Sequence, residues 1–232
     1  MKNLVILTGA GMSAESVIST FRDAGGLWDK YPVMQVASAE GYVRDPELVI
    51  NFYNERRKQL LDVEPNAGHT GLAELEKDFN VTVVTQNVDN LHERAGSTHV
   101  IHLHGELTKV CSSRDPYNPR YVRELKPEEY EVKMGDKAGD GSQLRPFIVW
   151  FGEAVPEIET AIGYVEKADI FVIIGTSMNV YPAAGLLNYV PRTAEVYLID
   201  PKPVDTHSMR QIHVIQKGAS EGVKELKTEI LH

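Results

Sequence analysis

Short, continuously apolar runs rich in β-branched residues recur along this chain, and helical patterns separate many of them. The runs are Leu4–Leu7, Val81–Thr85, His99–Leu103, Phe147–Trp150, Ile170–Ile174, Val196–Ile199 and Ile212–Ile215. Strands buried on both faces read this way, because neither face can carry polar side chains. Between them, Pro46–Leu61 places Leu48, Val49, Phe52, Leu60 and Leu61 at helical spacing. Asp45 suits its cap and Pro46 its first turn. Further helices are expected around Gly71–Asp78, Glu157–Lys167, Pro182–Tyr189 and Ala219–Leu231. Strands alternating with helices predict an α/β fold, a Rossmann-like, doubly wound, mostly parallel sheet.

Two regions interrupt the alternation. Residues 25–62 hold helices but no strand pattern. Residues 106–146 are polar and carry Pro116, Pro119, Pro127, Gly135, Gly139 and Gly141, which reads as an inserted module or a long loop. The expected division is a dinucleotide-binding domain of 1–24, 63–105 and 145–232, a helical insert at 25–62 and a small module at 106–144.

Hydrophobic residues make up 42% of 232, enough for a sizeable core. The net charge of −9 disfavours a general nucleic-acid interface. The single cysteine, Cys111, excludes an internal disulfide and suits a reducing compartment. No apolar run is long enough for a signal core or a bilayer span. The expectation is a cytoplasmic monomer that meets neither membrane nor nucleic acid.

Chemistry-bearing residues cluster where strands end. Thr8-Gly9-Ala10-Gly11-Met12-Ser13 follows the first strand. Its glycines either let the backbone cradle a pyrophosphate at a helix start, or serve only to pack strand against helix. "STFRDAGGLW" brings Phe21 and Arg22 next. Arg22 suits a phosphate or carboxylate, or a plain surface loop. "TQNVDNLHERAG" crowds Gln86, Asn87, Asp89 and His92 at the carboxyl end of a strand, as ligand readers or as turn-capping residues. "HVIHLHGEL" puts His102 and His104 on one side of a strand. Nothing nearby completes a metal site, and His104 at the strand end suits general-base work. Gly175, Thr176 and Ser177 form a second small-residue turn, and Asp200 ends another strand where it could accept from a ribose hydroxyl.

GAGMSAES, STFRDAGGLW, TQNVDNLH, HLHGEL, RPFIVWFGE and GTSMNVYPA, in this order, resemble the sirtuin family of NAD-dependent protein deacylases. The likeness runs from Leu4 to the KGAS at 217–220 and is nearest the bacterial class III, CobB-type members. It implies NAD as cofactor, with the pyrophosphate on Gly9, Ala10, Gly11 and Ser13. It makes His104 the general base, Asn87 and Asp89 the nicotinamide-pocket residues, and Gln86 a ribose contact. Phe21 becomes the ring shielding the sugar and Arg22 the mobile-loop arginine. Gly175, Thr176 and Ser177 line the phosphate and adenosine side, with Asp200 and Ala219 also on the cofactor. Val149, Phe151 and Gly152 hold the acyl-lysine peptide by strand addition. The implied products are nicotinamide and O-acyl-ADP-ribose. A mono-ADP-ribosyltransferase, or a non-catalytic NAD or ADP-ribose sensor, is the alternative.

Tyr53 and Arg56 are three apart on the capped helix and share a face. In class III members a Tyr-x-x-Arg pair holds an acyl carboxylate, which implies desuccinylase and demalonylase activity beside deacetylation. Arg57 and Lys58 follow directly, as on an ordinary solvated helix. The chain departs from the family in three places. Most members hold the small module with four zinc-binding cysteines; Cys111 alone stands here, so no zinc is expected. Val17 and Ser19 replace the usual Gly and Pro of the cofactor loop. Asp200 stands where asparagine is common, and accepts but cannot donate.

Overall fold

A computed structural model describes residues 1–16, 31–176, 183–203 and 211–231. In chain order its elements are β1 (Asn3–Thr8), α1 (Ala10–Ser13), α2 (Val33–Val36), α3 (Ala39–Arg44), α4 (Pro46–Leu61), α5 (Ala67–Glu74) and β2 (Asn80–Thr85). Then come α6 (Leu91–Arg94), β3 (Val100–His102), β4 (Gly105–Ser112), β5 (Arg123–Glu124), β6 (Leu144–Ile148) and α7 (Ile158–Val165). The chain continues with β7 (Ile170–Ile174), β8 (Glu195–Ile199), β9 (His213–Ile215) and α8 (Ala219–Ile230). The segment expected to be a helix around Pro182–Tyr189 is a 3₁₀ turn over Ala183–Tyr189.

The main sheet runs β3-β2-β1-β7-β8-β9, with every pair parallel. The apolar runs are continuous because alternate residues enter two cores. Leu4 and Ile6 pack with Leu72, Leu75, Val223 and Leu226 on the α5 and α8 side. Val5 and Leu7 pack with Ala161, Val165, Leu186 and Val190 on the opposite side. Strand order reverses between β1 and β7, so a crevice opens beyond their carboxyl ends, where Gly9–Ser13 and Gly175–Thr176 follow.

The polar stretch after residue 105, read as an inserted module or a long loop, is a small module. It contains β4, which pairs antiparallel with β5 and β6 in a separate sheet. The strand expected at Phe147–Trp150 lies instead at Leu144–Ile148 and belongs to this small sheet. A half-solvated strand alternates buried and exposed residues, so its average polarity resembles a loop. Cys111 is buried within β4, and burial pushes its thiol up to about 12.

Hydrogen bonds bind the small sheet's loops. Ser112 Oγ accepts the N–H groups of Arg114 and Asp115 at 3.0 and 2.9 Å and donates to Asp140 at 2.7 Å. Ser142 donates to the other Asp140 oxygen at 2.6 Å. Buried Arg145 pairs bidentately with Glu153 at 2.7 and 3.1 Å and lies 3.6 Å over the Trp150 ring.

Asp45 caps α4, accepting from the Leu48 N–H at 3.0 Å, with Pro46 in the first turn. Val49, Phe52, Tyr53 and Leu60 bury its inner face against Leu91, Ile148 and Trp150. Leu61, expected on that face, is 44% exposed. Arg57 is buried, not solvated: its Nε donates to Tyr130 O at 2.7 Å and its Nη2 to Asn54. Asn54 in turn bonds both the N–H and the C=O of Val132. Two polar residues thus strap α4 to the small module. Among the described residues no helix is long and apolar enough to cross a membrane.

Candidate active site

The two turns at the switch point touch backbone to backbone. Gly9 N donates to Ile174 O at 3.0 Å and Gly11 N to Gly175 O at 2.8 Å. A Cβ on Gly11 would stand 2.6 Å from Gly175 Cα, and one on Gly9 2.7 Å from Thr176 Cβ. Gly175 has φ +59°, and a Cβ there would meet Gly11 at 2.5 Å. Each glycine is therefore fixed by close packing. This answers one of the two alternatives for the first turn without removing the other, since Ala10 stays exposed and Gly11 half-buried at the crevice.

Behind the turn lies a buried polar network. Asn66 N–H donates to His69 Nδ1 at 3.2 Å, which leaves the proton of this neutral ring on Nε2, 3.4 Å from Ser13 Oγ. Ser13 Oγ donates to Asp89 Oδ2 at 3.0 Å and accepts from Asn87 Nδ2 at 3.1 Å. Asn87 Nδ2 also donates to Gly9 O at 3.0 Å, so its Oδ1 is what it offers a ligand. Leu91 N–H donates to Asp89 Oδ1 at 3.2 Å. Burial raises the Asp89 carboxyl, and these two donors oppose the rise. Beneath, Thr8 Oγ1 donates to Thr85 Oγ1 at 2.8 Å and faces His92 Nε2 at 3.1 Å. Burial holds His69 down to about 4 and His92 well below its ordinary value, so both rings are neutral near pH 7.

Gln86 lies beside these groups and donates through Nε2 to Thr176 Oγ1 at 3.0 Å, joining the ends of β2 and β7. His104 Nδ1 is 3.0 Å from Gln86 O. A carbonyl only accepts, so Nδ1 carries the proton and Nε2 presents a lone pair. Burial lowers the His104 pKa, opposed by that hydrogen bond, so the ring is neutral and basic near pH 7.

The substrate-side residues are less uniform. Arg56 lies on the α4 face toward the site: burial lowers its pKa, and the charges of Tyr53 and Asp89 act against that. Tyr53 is 2% exposed, and its hydroxyl accepts from Trp150 Nε1 at 3.1 Å, which leaves the phenol proton to donate. Its pKa is pushed up to about 12, chiefly by burial. Val149 N–H donates to His104 O at 2.9 Å. Phe151 is 49% exposed, but its N–H and C=O bond Ala37 O and Ala39 N. Strand addition here would fall to its neighbours, among them Gly152 at φ +90°.

Asp200 caps its own turn, accepting from Lys202 N–H at 2.8 Å. Ala219 is buried in the core at the start of α8, so its backbone is what it can offer a cofactor. Phe21, Arg22 and Ser177 lie outside the described residues. Among the described residues no group of three His, Cys, Asp or Glu is placed to hold a metal ion. Sequence reasoning missed His69, which sits inside a helix start and signals no site until the chain is folded. Thr8, named there as the first residue of the glycine turn, instead ends β1.

The Sir2 family model matches residues 9–182. The NAD-dependent protein deacylase of Bacteroides thetaiotaomicron is 86% identical over 98% of this chain and 97% of its own. The enzyme of that name from Helicobacter pylori (strain 26695) is 50% identical, covering 100% of this chain and 98% of its own. A crystal structure of a Sir2 homolog–NAD complex superposes with a TM-score of 0.86 at 38% identity, over 99% of this chain and 90% of that one.

Proposed function

The chain belongs to the Sir2 family, and we propose that it is an NAD-dependent protein-lysine deacylase that accepts acidic acyl groups as well as acetyl. One observation carries the reading: His104 is held by its Nδ1–H, its Nε2 meets no hydrogen-bond partner among the described residues, and it lies beside a buried set of acceptors at the sheet's switch point.

The residues fit the cofactor. A nicotinamide carboxamide offers N–H donors, and Asn87 Oδ1 with the Asp89 carboxylate supplies acceptors. The turns at Gly9–Ser13 and Gly175–Ser177 take the pyrophosphate side, with Gln86 on the ribose and Asp200 and Ala219 further along. Phe21 and Arg22 are assigned to the cofactor by their motif alone. When bound, NAD supplies a nicotinamide leaving group and the ribose that carries away the acyl group, giving nicotinamide and O-acyl-ADP-ribose. His104 Nε2 takes a proton from a ribose hydroxyl, the role its lowered pKa and fixed tautomer suit. Val149, Phe151 and Gly152 line the acyl-lysine peptide. A guanidinium fork at Arg56 beside the Tyr53 phenol matches a succinyl or malonyl carboxylate.

The test is incubation with NAD and separate acetyl-, succinyl- and malonyl-lysine peptides, read by mass spectrometry. O-acyl-ADP-ribose supports the reading. A protein acceptor heavier by ADP-ribose would make the chain a transferase, and absence of nicotinamide release would make it a sensor.

A further inference from the structure

Two histidines, two residues apart, hold two consecutive carbonyls. His104 Nδ1 is 3.0 Å from Gln86 O, and His102 Nδ1 is 3.1 Å from Asn87 O. Both Nδ1 atoms must carry protons, because carbonyls only accept. The rings differ at Nε2. That of His102 lies 2.7 Å from Glu93 Oε1, and a carboxylate also only accepts. His102 therefore donates from both nitrogens and is an imidazolium, buried to 6% exposure, in a charge-assisted pair.

The pair closes a ring of structure. Glu93 lies on α6, which opens just after the 86–90 segment, while His102 ends β3 alongside it. Asn87 and Asp89 sit inside that ring. We propose that His102 is a positioning residue for the cofactor pocket: as a cation it grips Glu93 and the Asn87 carbonyl together, and so sets the Asn87 and Asp89 side chains against the carboxamide. The inference rests on the reading of Asn87 and Asp89 as the nicotinamide pocket.

Loss of one proton would turn a lone pair toward either the Asn87 carbonyl or the Glu93 carboxylate. Glu93 and neutral His92 face His102 from α6, Asp89 from the preceding loop, and Glu106 from β4. Lys109 of β4 pairs with Glu106 and acts on Glu93. Burial pulls the His102 pKa down, but Glu93, Glu106 and the Asn87 carbonyl outweigh it and raise the value. A raised histidine keeps its contacts below the ordinary value and loses them as pH rises through the folded value. Cofactor binding should therefore weaken on the alkaline side, opposite to the acid limb set by His104.

The experiment combines ¹⁵N-histidine NMR of the full chain with the pH dependence of kcat and of KM for NAD. Wild type should show both His102 nitrogens protonated at pH 7. Glu93→Gln should move the alkaline rise in KM about one pH unit lower, raising KM about tenfold at the affected pH while kcat changes less than twofold. His102→Gln should remove that limb. A His102 with one protonated nitrogen at pH 7, or a Glu93→Gln KM profile superimposable on wild type, overturns the proposal. The NMR arm needs no variant to fold. Asn87→Ala separates the layers: an unchanged KM for NAD there would end the pocket reading itself, and the proposal with it, whatever the charge on His102.

Discussion

Acid should destabilise this protein through His69, by an amount the structure sets. The ring is fully buried, with its Nδ1 held as an acceptor by the Asn66 N–H and its centroid 4.9 Å from that of the His92 ring. Burial is the largest cause holding its pKa down to about 4, against weaker upward pulls from Glu15 and Glu93. The unfolded ring titrates near 6.5, so between about 6.5 and 4 the unfolded chain takes up a proton that the native ring refuses. Stability therefore falls as pH falls through that window. At pH 5.0 the loss from His69 alone is about 2 kcal/mol, a visible part of the roughly 5–15 kcal/mol of a typical domain. His92 acts in the same sense. The assay is urea unfolding followed by circular dichroism at pH 7.5 and 5.0, on wild type and His69→Gln. The variant keeps an acceptor for the Asn66 N–H and removes the titrating group. Wild type should lose about 2 kcal/mol more than the variant between the two pH values. Contributions common to both proteins, including the opposite one from His102, cancel in that difference. Equal losses would refute the argument, because they would mean that His69 protonates in the native state as easily as in the unfolded one.

His104→Ala should lower kcat by roughly 10²- to 10⁴-fold, the range of a lost general base, with an unchanged urea midpoint at pH 7.5. In the wild type the acid limb of kcat/KM should lie below pH 6.5, because burial lowers the His104 pKa; a limb above the ordinary histidine value would contradict the assigned environment. Gly175→Ala combines a left-handed φ with a Cβ 2.5 Å from the Gly11 backbone; it should cost about 1–3 kcal/mol and raise KM for NAD, read by thermal melts and kinetics. Arg56→Met should reduce succinyl-peptide kcat/KM by about ten- to hundredfold, the worth of a charge-assisted pair, and spare acetyl-peptide turnover. Equal effects on both substrates would remove the acyl-carboxylate role.

The main sheet is legible in the sequence because its strands are buried on both faces. The run Val5–Leu7 needs no neighbour to be recognised, and it supplies residues to both cores. The Asp45 cap is equally local, since donor and acceptor lie three residues apart. β4 is not legible by the same rule. Its buried positions, such as Leu107 and Val110, alternate with half-buried Glu106 and Thr108, so composition alone leaves module and loop undistinguished and shows no strand. Arg56 and Arg57 show a subtler limit. Both leave α4 toward the interior, one toward Asp89 and the other to Tyr130 O, and nothing in two adjacent arginines distinguishes them.

The site divides along the same line. Residues at strand ends were identifiable because an open α/β sheet collects ligands there, and the structure brings Ser13, Asn87 and Asp89 into one network from segments 74 and 76 residues apart. What a strand end cannot reveal is protonation. His102 and His104 occupy equivalent positions relative to the same loop, each donating Nδ1–H to a carbonyl. Their difference in charge comes from one distant choice, a carboxylate at Glu93 facing one Nε2. Sequence spacing offered the two rings as a pair; only the third residue makes one the cation and leaves the other as a base.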